Sequence, residues 1–234
     1  MLPSLKDLCR GLLHLLYPNL CVGCENDMPV GYGCFCLSCQ RKLHQANMHL
    51  TQTNAFTDRF WGRIPIVTGT ALYYFSRKSP IQKALHRLKY QNQADIGIRI
   101  GRQFGYLLKQ SPLYEDLEGI VPVPLHPKKE RLRGYNQSAM LATGLADVLR
   151  VPVMTGVLLR NAYSESQTRK KRMARFDNVH DVFAVRQLNR IQGKHLLLVD
   201  DVLTTGATLE ACGEVLLRVP AVRLSMATIA IAVH

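Results

Sequence analysis

In the segment HLLLVDDVLTTGATLEAC, an apolar run at 195–199 predicts a buried strand, Asp200 and Asp201 follow at its carboxyl end, and residues 204–208 open a helix. Two neighbouring carboxylates at a strand end accept hydrogen bonds from vicinal hydroxyls, such as those of ribose, and can support a hard cation such as Mg2+. The turn that follows suits a phosphate: free backbone amides at a helix N-terminus and the helix dipole both favour an anion. Gly206 lets the backbone approach closely, Ala207 lies in the same turn, and Thr204, Thr205 and Thr208 add hydroxyl donors. The chemistry implied is the holding of a ribose that carries a 5-phosphate. The bland alternative is a plain strand-to-helix turn with accidental acids.

A second group of residues points to a metal. Five of the seven cysteines lie between Cys21 and Cys39, and four of them form two Cys-x-x-Cys pairs, Cys21 with Cys24 and Cys36 with Cys39. That spacing lets four thiolates converge tetrahedrally on Zn2+, with Gly23 where a knuckle welcomes a residue without a Cβ. Four thiolates leave no open position for water, so the expected zinc is structural. Cys34 with Cys36 would make a poorer knuckle, and Cys34 is read as a spare thiol. Reduced, unliganded cysteines or a disulfide are the alternatives, and a reducing cytosol disfavours the disulfide. Cys9 and Cys212 read as buried small hydrophobes.

The elements that must position these groups follow from apolar periodicity. Strands are expected at 67–75, 119–123, 153–159, 195–199 and 224–233, and helices at 81–88, 96–108, 137–149 and after Gly206, with Ser79-Pro80 as a helix-start signal. Residues 40–63 are polar and irregular and read as a linker or extended cover. Strands alternating with helices predict an α/β fold with an open, mostly parallel sheet whose ligand sits beyond the carboxyl ends of the strands. Two domains are expected: 1–45, an amphipathic helix plus a zinc-ribbon module, and 46–234, the sheet domain.

Two basic segments flank the acid pair. After 119–123 come Lys128, Lys129, Arg131 and Arg133 in a stretch read as a basic loop. Between later strands lies a run with Arg169, Lys170, Lys171, Arg172 and Arg175, a pattern that is more often a solvated face. The whole chain of 234 residues carries 30 basic against 17 acidic side chains, a net charge of +13. Such a balance favours polyanions, phosphate ligands or nucleic acid, although basicity for solubility alone is also compatible. Residues 2–16 show a leucine stripe broken by Lys6, Asp7 and Arg10, too short and too charged for a membrane span and without a signal-peptide cleavage site. The expected location is the cytoplasm.

The 196–208 segment resembles the phosphoribosyl pyrophosphate signature of type I phosphoribosyltransferases. The order of further motifs narrows the likeness: the Cys-x-x-Cys pairs, Lys89-Tyr90, Val121-Pro122-Val123-Pro124, Arg133-Gly134-Tyr135-Asn136-Gln137, and Gln167-Thr168 with Arg172, Arg175 and Asn178-Val179. Together they resemble the ComF family, of ComFC and GntX type, over nearly the whole chain. That resemblance implies a type I phosphoribosyltransferase-like domain with an N-terminal zinc finger, and a role in natural transformation on single-stranded DNA entering the cytoplasm, with other DNA-uptake proteins as partners.

It further implies that Asp200 and Asp201 hold the ribose, 204–208 the 5-phosphate, and Arg131, Arg133, Lys170, Lys171 or Arg172 the pyrophosphate of a Mg2+-bound ligand. A phosphoribosyl transfer needs no protein nucleophile, so the lack of a Ser-His-Asp or Cys-His motif is no objection. The alternative function is a metabolic phosphoribosyltransferase acting on a base or another small acceptor. Because the sequence stops at His234, directly after its last strand, the expectation is that an acceptor is recognised by residues before Gly119 or that there is none. Tyr73, Tyr74 and Tyr135 are candidate base-stacking surfaces, with burial in the core as the commoner fate of an aromatic.

Overall fold

The structure is a computed structural model that describes residues 18–29, 33–160 and 182–232. Its elements run α1 (Leu37–Gln40), β1 (Gly69–Phe75), α2 (Pro80–Tyr90), α3 (Asp95–Leu108), β2 (Gly119–Pro122), α4 (Pro127–Arg133), α5 (Gln137–Leu149), β3 (Leu158–Arg160), β4 (Phe183–Val185), β5 (His195–Leu203), α6 (Ala207–Leu217) and β6 (Arg223–Ala232). The main sheet has the order β1-β6-β5-β2 and every pairing in it is parallel. This is the open parallel α/β sheet that the alternation of elements predicts.

Parallel strands covered on both faces read as continuous apolar runs, and β5 shows why. Leu197 and Val199 join the core formed with α2, α3 and α5, whereas Leu196 and Leu198 join the core beneath α6. Helices α3 and α5 approach so closely that a Cβ on Gly101 would collide with the Leu141 carbonyl, and one on Gly144 with the Ile98 carbonyl. The start of α2 is as expected: Pro80 occupies its first turn, and the Ser79 hydroxyl accepts from the Gln82 amide at 3.3 Å.

Three expectations are corrected. Residues 153–159 do not form a strand of the main sheet: Val153 makes one parallel bridge to Ile120, and β3 pairs antiparallel with β4 in a separate two-stranded sheet. The basic stretch read as a loop is the helix α4, capped by His126, whose ring accepts from the Lys128 amide. Of the two readings of residues 40–63, the linker fails and the extended cover holds. His44 and Ala46 bond to the edge of β1, and Met48, Phe56 and Phe60 are buried in the core under α6. The leucine stripe at 2–16 and Cys9 lie outside the described residues, among which no helix is long and apolar enough to cross a membrane.

Candidate functional site

At the carboxyl end of β5 the strand continues through Asp200 and Asp201 before turning into α6. Gly206 takes φ +87°, a left-handed conformation that favours glycine. It also lies over Phe60, whose ring would be 3.2 Å from a Cβ built there. Thr204, Thr205, Ala207 and Thr208 are exposed; the N-cap residue Gly206 has no side chain to offer, and the Thr205 hydroxyl accepts from the Ala207 amide at 3.4 Å. A hollow bordered by Asp200 and residues 202–209 results, and the first-turn amides of an 11-residue helix open onto it. Arg59 braces the turn from outside, donating to the carbonyls of Thr204 at 3.4 Å and Ala232 at 3.1 Å.

The two carboxylates are not equivalent. Asp200 borders the hollow, and its Oδ1 accepts from the Ser138 hydroxyl and from the Asp201 amide, each at 2.8 Å. Burial, then the neighbouring Asp201 carboxylate, push the Asp200 carboxyl up to about 7, while those hydrogen bonds and Lys89 pull it back. Asp201 is withdrawn: its side chain is 9% exposed and its Oδ2 lies 2.8 Å from Lys89 Nζ.

The Arg133-Gly134-Tyr135-Asn136-Gln137 segment builds the wall beside this pair. The Arg133 guanidinium sits 5.7 Å from the Tyr90 ring centre and donates to the Gln137 carboxamide oxygen. Gly134 ends α4 with φ +82°, the Tyr135 hydroxyl donates to the Leu88 carbonyl, and Asn136 both caps α5 and donates to the Val123 carbonyl at 2.9 Å.

The four thiols of Cys21, Cys24, Cys36 and Cys39 lie within 4.8 Å of one another. Cys24 Sγ and Cys36 Sγ are 3.7 Å apart. Tetrahedral zinc with Zn–S of about 2.3 Å places sulfurs about 3.8 Å apart, so the cluster has the dimensions of a four-thiolate centre. The amides of Gly23 and Cys36 donate to Cys21 Sγ at 3.4 and 3.3 Å, as donors to a thiolate would. The Cys39 backbone pulls the Cys36 thiol down to about 6, whereas burial pushes Cys24 and Cys39 up. Cys34 stands outside the cluster, buried and pushed up to about 11, and Cys212 is buried, both as read from sequence. Gly23 proves necessary for packing: a Cβ there would lie 2.8 Å from Pro80 Cβ and 2.9 Å from Cys39 Sγ.

Residues 136–233 match the family model of the phosphoribosyl transferase domain. Competence protein F of Haemophilus influenzae is 27% identical over 212 residues, covering 89% of this chain and 88% of that protein. Competence protein ComFC of Bacillus subtilis is 26% identical, covering 91% of this chain and 84% of that one. The chain is thus similar to competence proteins of the ComF type over most of its length. DNA utilization protein YhgH of Escherichia coli is 25% identical, covering 87% of this chain and 93% of that protein. Among solved structures, the glutamine phosphoribosylpyrophosphate amidotransferase of B. subtilis aligns at 18% identity and TM-score 0.42, over 60% of this chain and 30% of its own.

Asp200 and 204–208 thus come together around one hollow, while Arg133 packs on the ring of Tyr90, the residue after Lys89. Arg131 is exposed on α4, none of whose residues is buried. Lys170, Lys171 and Arg172 fall outside the described residues. Lys89, Ser138, Arg59 and Phe60 were not foreseen as neighbours of the site. Only Lys89 left a trace, as part of the Lys89-Tyr90 motif. Of the aromatics weighed for base stacking, Tyr73 is buried, with Gln103 donating to its hydroxyl at 2.9 Å, while Tyr74 and Tyr135 are half-buried.

A chain of contacts also links Asp116 Oδ1 to His195 Nδ1 at 2.7 Å and His195 Nε2 to the Ser225 hydroxyl at 2.9 Å. Its connectivity is that of a Ser-His-Asp relay, but Ser225 has no exposed surface and the chain lies at the opposite end of β5 from the hollow. It ties β5 to β6 and can attack nothing.

Proposed function

We propose that the protein is a DNA-uptake factor of ComF type that retains phosphoribosyl pyrophosphate, or a related ribose 5-phosphate, and grips single-stranded DNA. The observation that carries the reading is the hollow at the end of β5, where an ionisable carboxyl, three threonines and the N-terminal amides of α6 converge. Asp200 and Asp201 take the ribose hydroxyls, Thr204, Thr205, Gly206, Ala207 and Thr208 the 5-phosphate, and Arg131, Arg133, Lys170, Lys171 and Arg172 the pyrophosphate. Charge-assisted contacts of that kind are the strong ones. Mg2+ enters on the ligand's own phosphates. Zn2+ on Cys21, Cys24, Cys36 and Cys39 holds a module spanning 1–45 against a domain spanning 46–234, and the protein works in the cytoplasm alongside other DNA-uptake proteins.

The net charge of +13 and the names of the YhgH and competence relatives support the nucleic-acid half of the reading. Labelled oligonucleotide titrated at several salt concentrations tests it. Binding should be nearly independent of sequence and weaken steeply with salt, because neutralised phosphates release counterions. Replacing Lys170, Lys171 and Arg172 by Ala should lower both affinity and salt slope if that segment touches the DNA backbone, whereas a segment reserved for pyrophosphate would change only ligand binding. No binding at low salt, together with release of pyrophosphate on adding a base, would install the metabolic transferase in its place.

A further inference from the structure

Lys89 stands in the last turn of α2 with its Nζ 2.8 Å from Asp201 Oδ2, its side chain 28% exposed against 9% for Asp201. Most surface ion pairs are loosely held, because two long side chains must be ordered to make them. This one is fixed from several directions. Two residues earlier, Arg87 donates to the Val22 carbonyl of the cysteine module and pairs with Glu25 at 2.6 Å. The Tyr135 hydroxyl holds the Leu88 carbonyl, and Arg133 lies on the ring of Tyr90. The backbone that presents Lys89 is therefore clamped between the module and the Arg133–Gln137 segment.

Two adjacent carboxylates repel one another, and one that is nearly buried needs a counter-charge. A metal ion could supply it, but Lys89 already occupies that side of Asp201. We propose that Lys89 is the resident cation of the ribose site: it balances the charge of the Asp201 carboxylate and fixes its orientation, so that the acid pair itself needs no divalent ion. This inference rests on reading 200–208 as a ribose 5-phosphate site. In that reading Lys89 is a positioning residue, and any Mg2+ belongs to the pyrophosphate of the ligand.

Ribose 5-phosphate separates the two roles, since it has no pyrophosphate to chelate the metal. Calorimetry on the full chain, in EDTA and again in Mg2+, should give the same wild-type affinity in both. Lys89→Met should bind at least about tenfold more weakly in EDTA and recover in Mg2+, while Lys89→Arg stays near wild type. A folded Lys89→Met protein with wild-type affinity, or a loss that Mg2+ does not restore, would overturn the assignment. If Lys89→Met does not fold, Lys89→Met with Asp201→Asn removes both charges together. That variant should lose affinity in either buffer, and wild-type binding by it would equally overturn the assignment. Failure of the wild type to bind ribose 5-phosphate at all would instead sink the site reading and the inference with it.

Discussion

Asp200 is held against its own chemistry. A carboxyl in an unfolded chain titrates near pH ~4, yet burial and Asp201 push this one up to about 7. The folded form thus keeps its proton to a higher pH than the unfolded form, and ionising Asp200 destabilises the fold. The penalty grows from about pH 4 to about pH 7 and is constant above that. Asp200→Asn should therefore raise the melting temperature at pH 8, by roughly 2–4 °C for each kcal/mol relieved. The gain should vanish at pH 4, and thermal melts at both values decide it; equal melting temperatures for the two proteins at pH 8 would show that the carboxyl is not strained. Strain of this kind is characteristic of binding sites. The acid pair and the threonine turn were legible in the sequence because each is a local pattern. The pairing of Asp201 with Lys89 was not, because its partner sits on α2, far along the chain, and nothing in the Lys89-Tyr90 dipeptide says what it faces.

The elements that came through from sequence are those with a buried face. Helices α3 and α5 carry apolar residues at helical spacing against the sheet, and α5 lies where expected to the residue. Helix α4 left no such signal: none of its residues is buried, Leu132 is 89% exposed, and four of its seven residues are basic, so no apolar periodicity marks it. The missed assignment at 153–159 has a related cause, since a short β-branched run does not reveal which sheet it joins. Between these scales sits the cysteine module, which shares a core with the sheet domain: Val22 and Phe35 pack with Leu72, Tyr73 and Ile81. Metal loss should accordingly disturb α2 as well as the knuckles. We expect one zinc per chain by metal analysis, and its loss in Cys36→Ser with Cys39→Ser. Hydrogen exchange should then show opening over Pro80–Tyr90. Full zinc content in that double variant would exclude the second pair as ligands, and unchanged protection of α2 would show that the module is merely appended.

Over the whole molecule, the order β1-β6-β5-β2 puts β5 in the interior of the sheet, so that its carboxyl end meets α2, α5 and the buttress of Arg59 and Phe60 at once. Parallel topology was foreseeable from the alternation of strands and helices; the convergence of residues from 57–60, α2 and α5 on one strand end was not, because it depends on strand order. The most direct test of the ribose-phosphate site is calorimetric titration of phosphoribosyl pyrophosphate into the wild type and into Asp200→Asn with Asp201→Asn, a pair of near-isosteric changes that spare the packing. One ligand should bind per wild-type chain, and at least about tenfold of the affinity should be lost in a double variant whose circular dichroism and cooperative melting remain native. Wild-type affinity in that folded variant, or no binding by the wild type, would contradict the site.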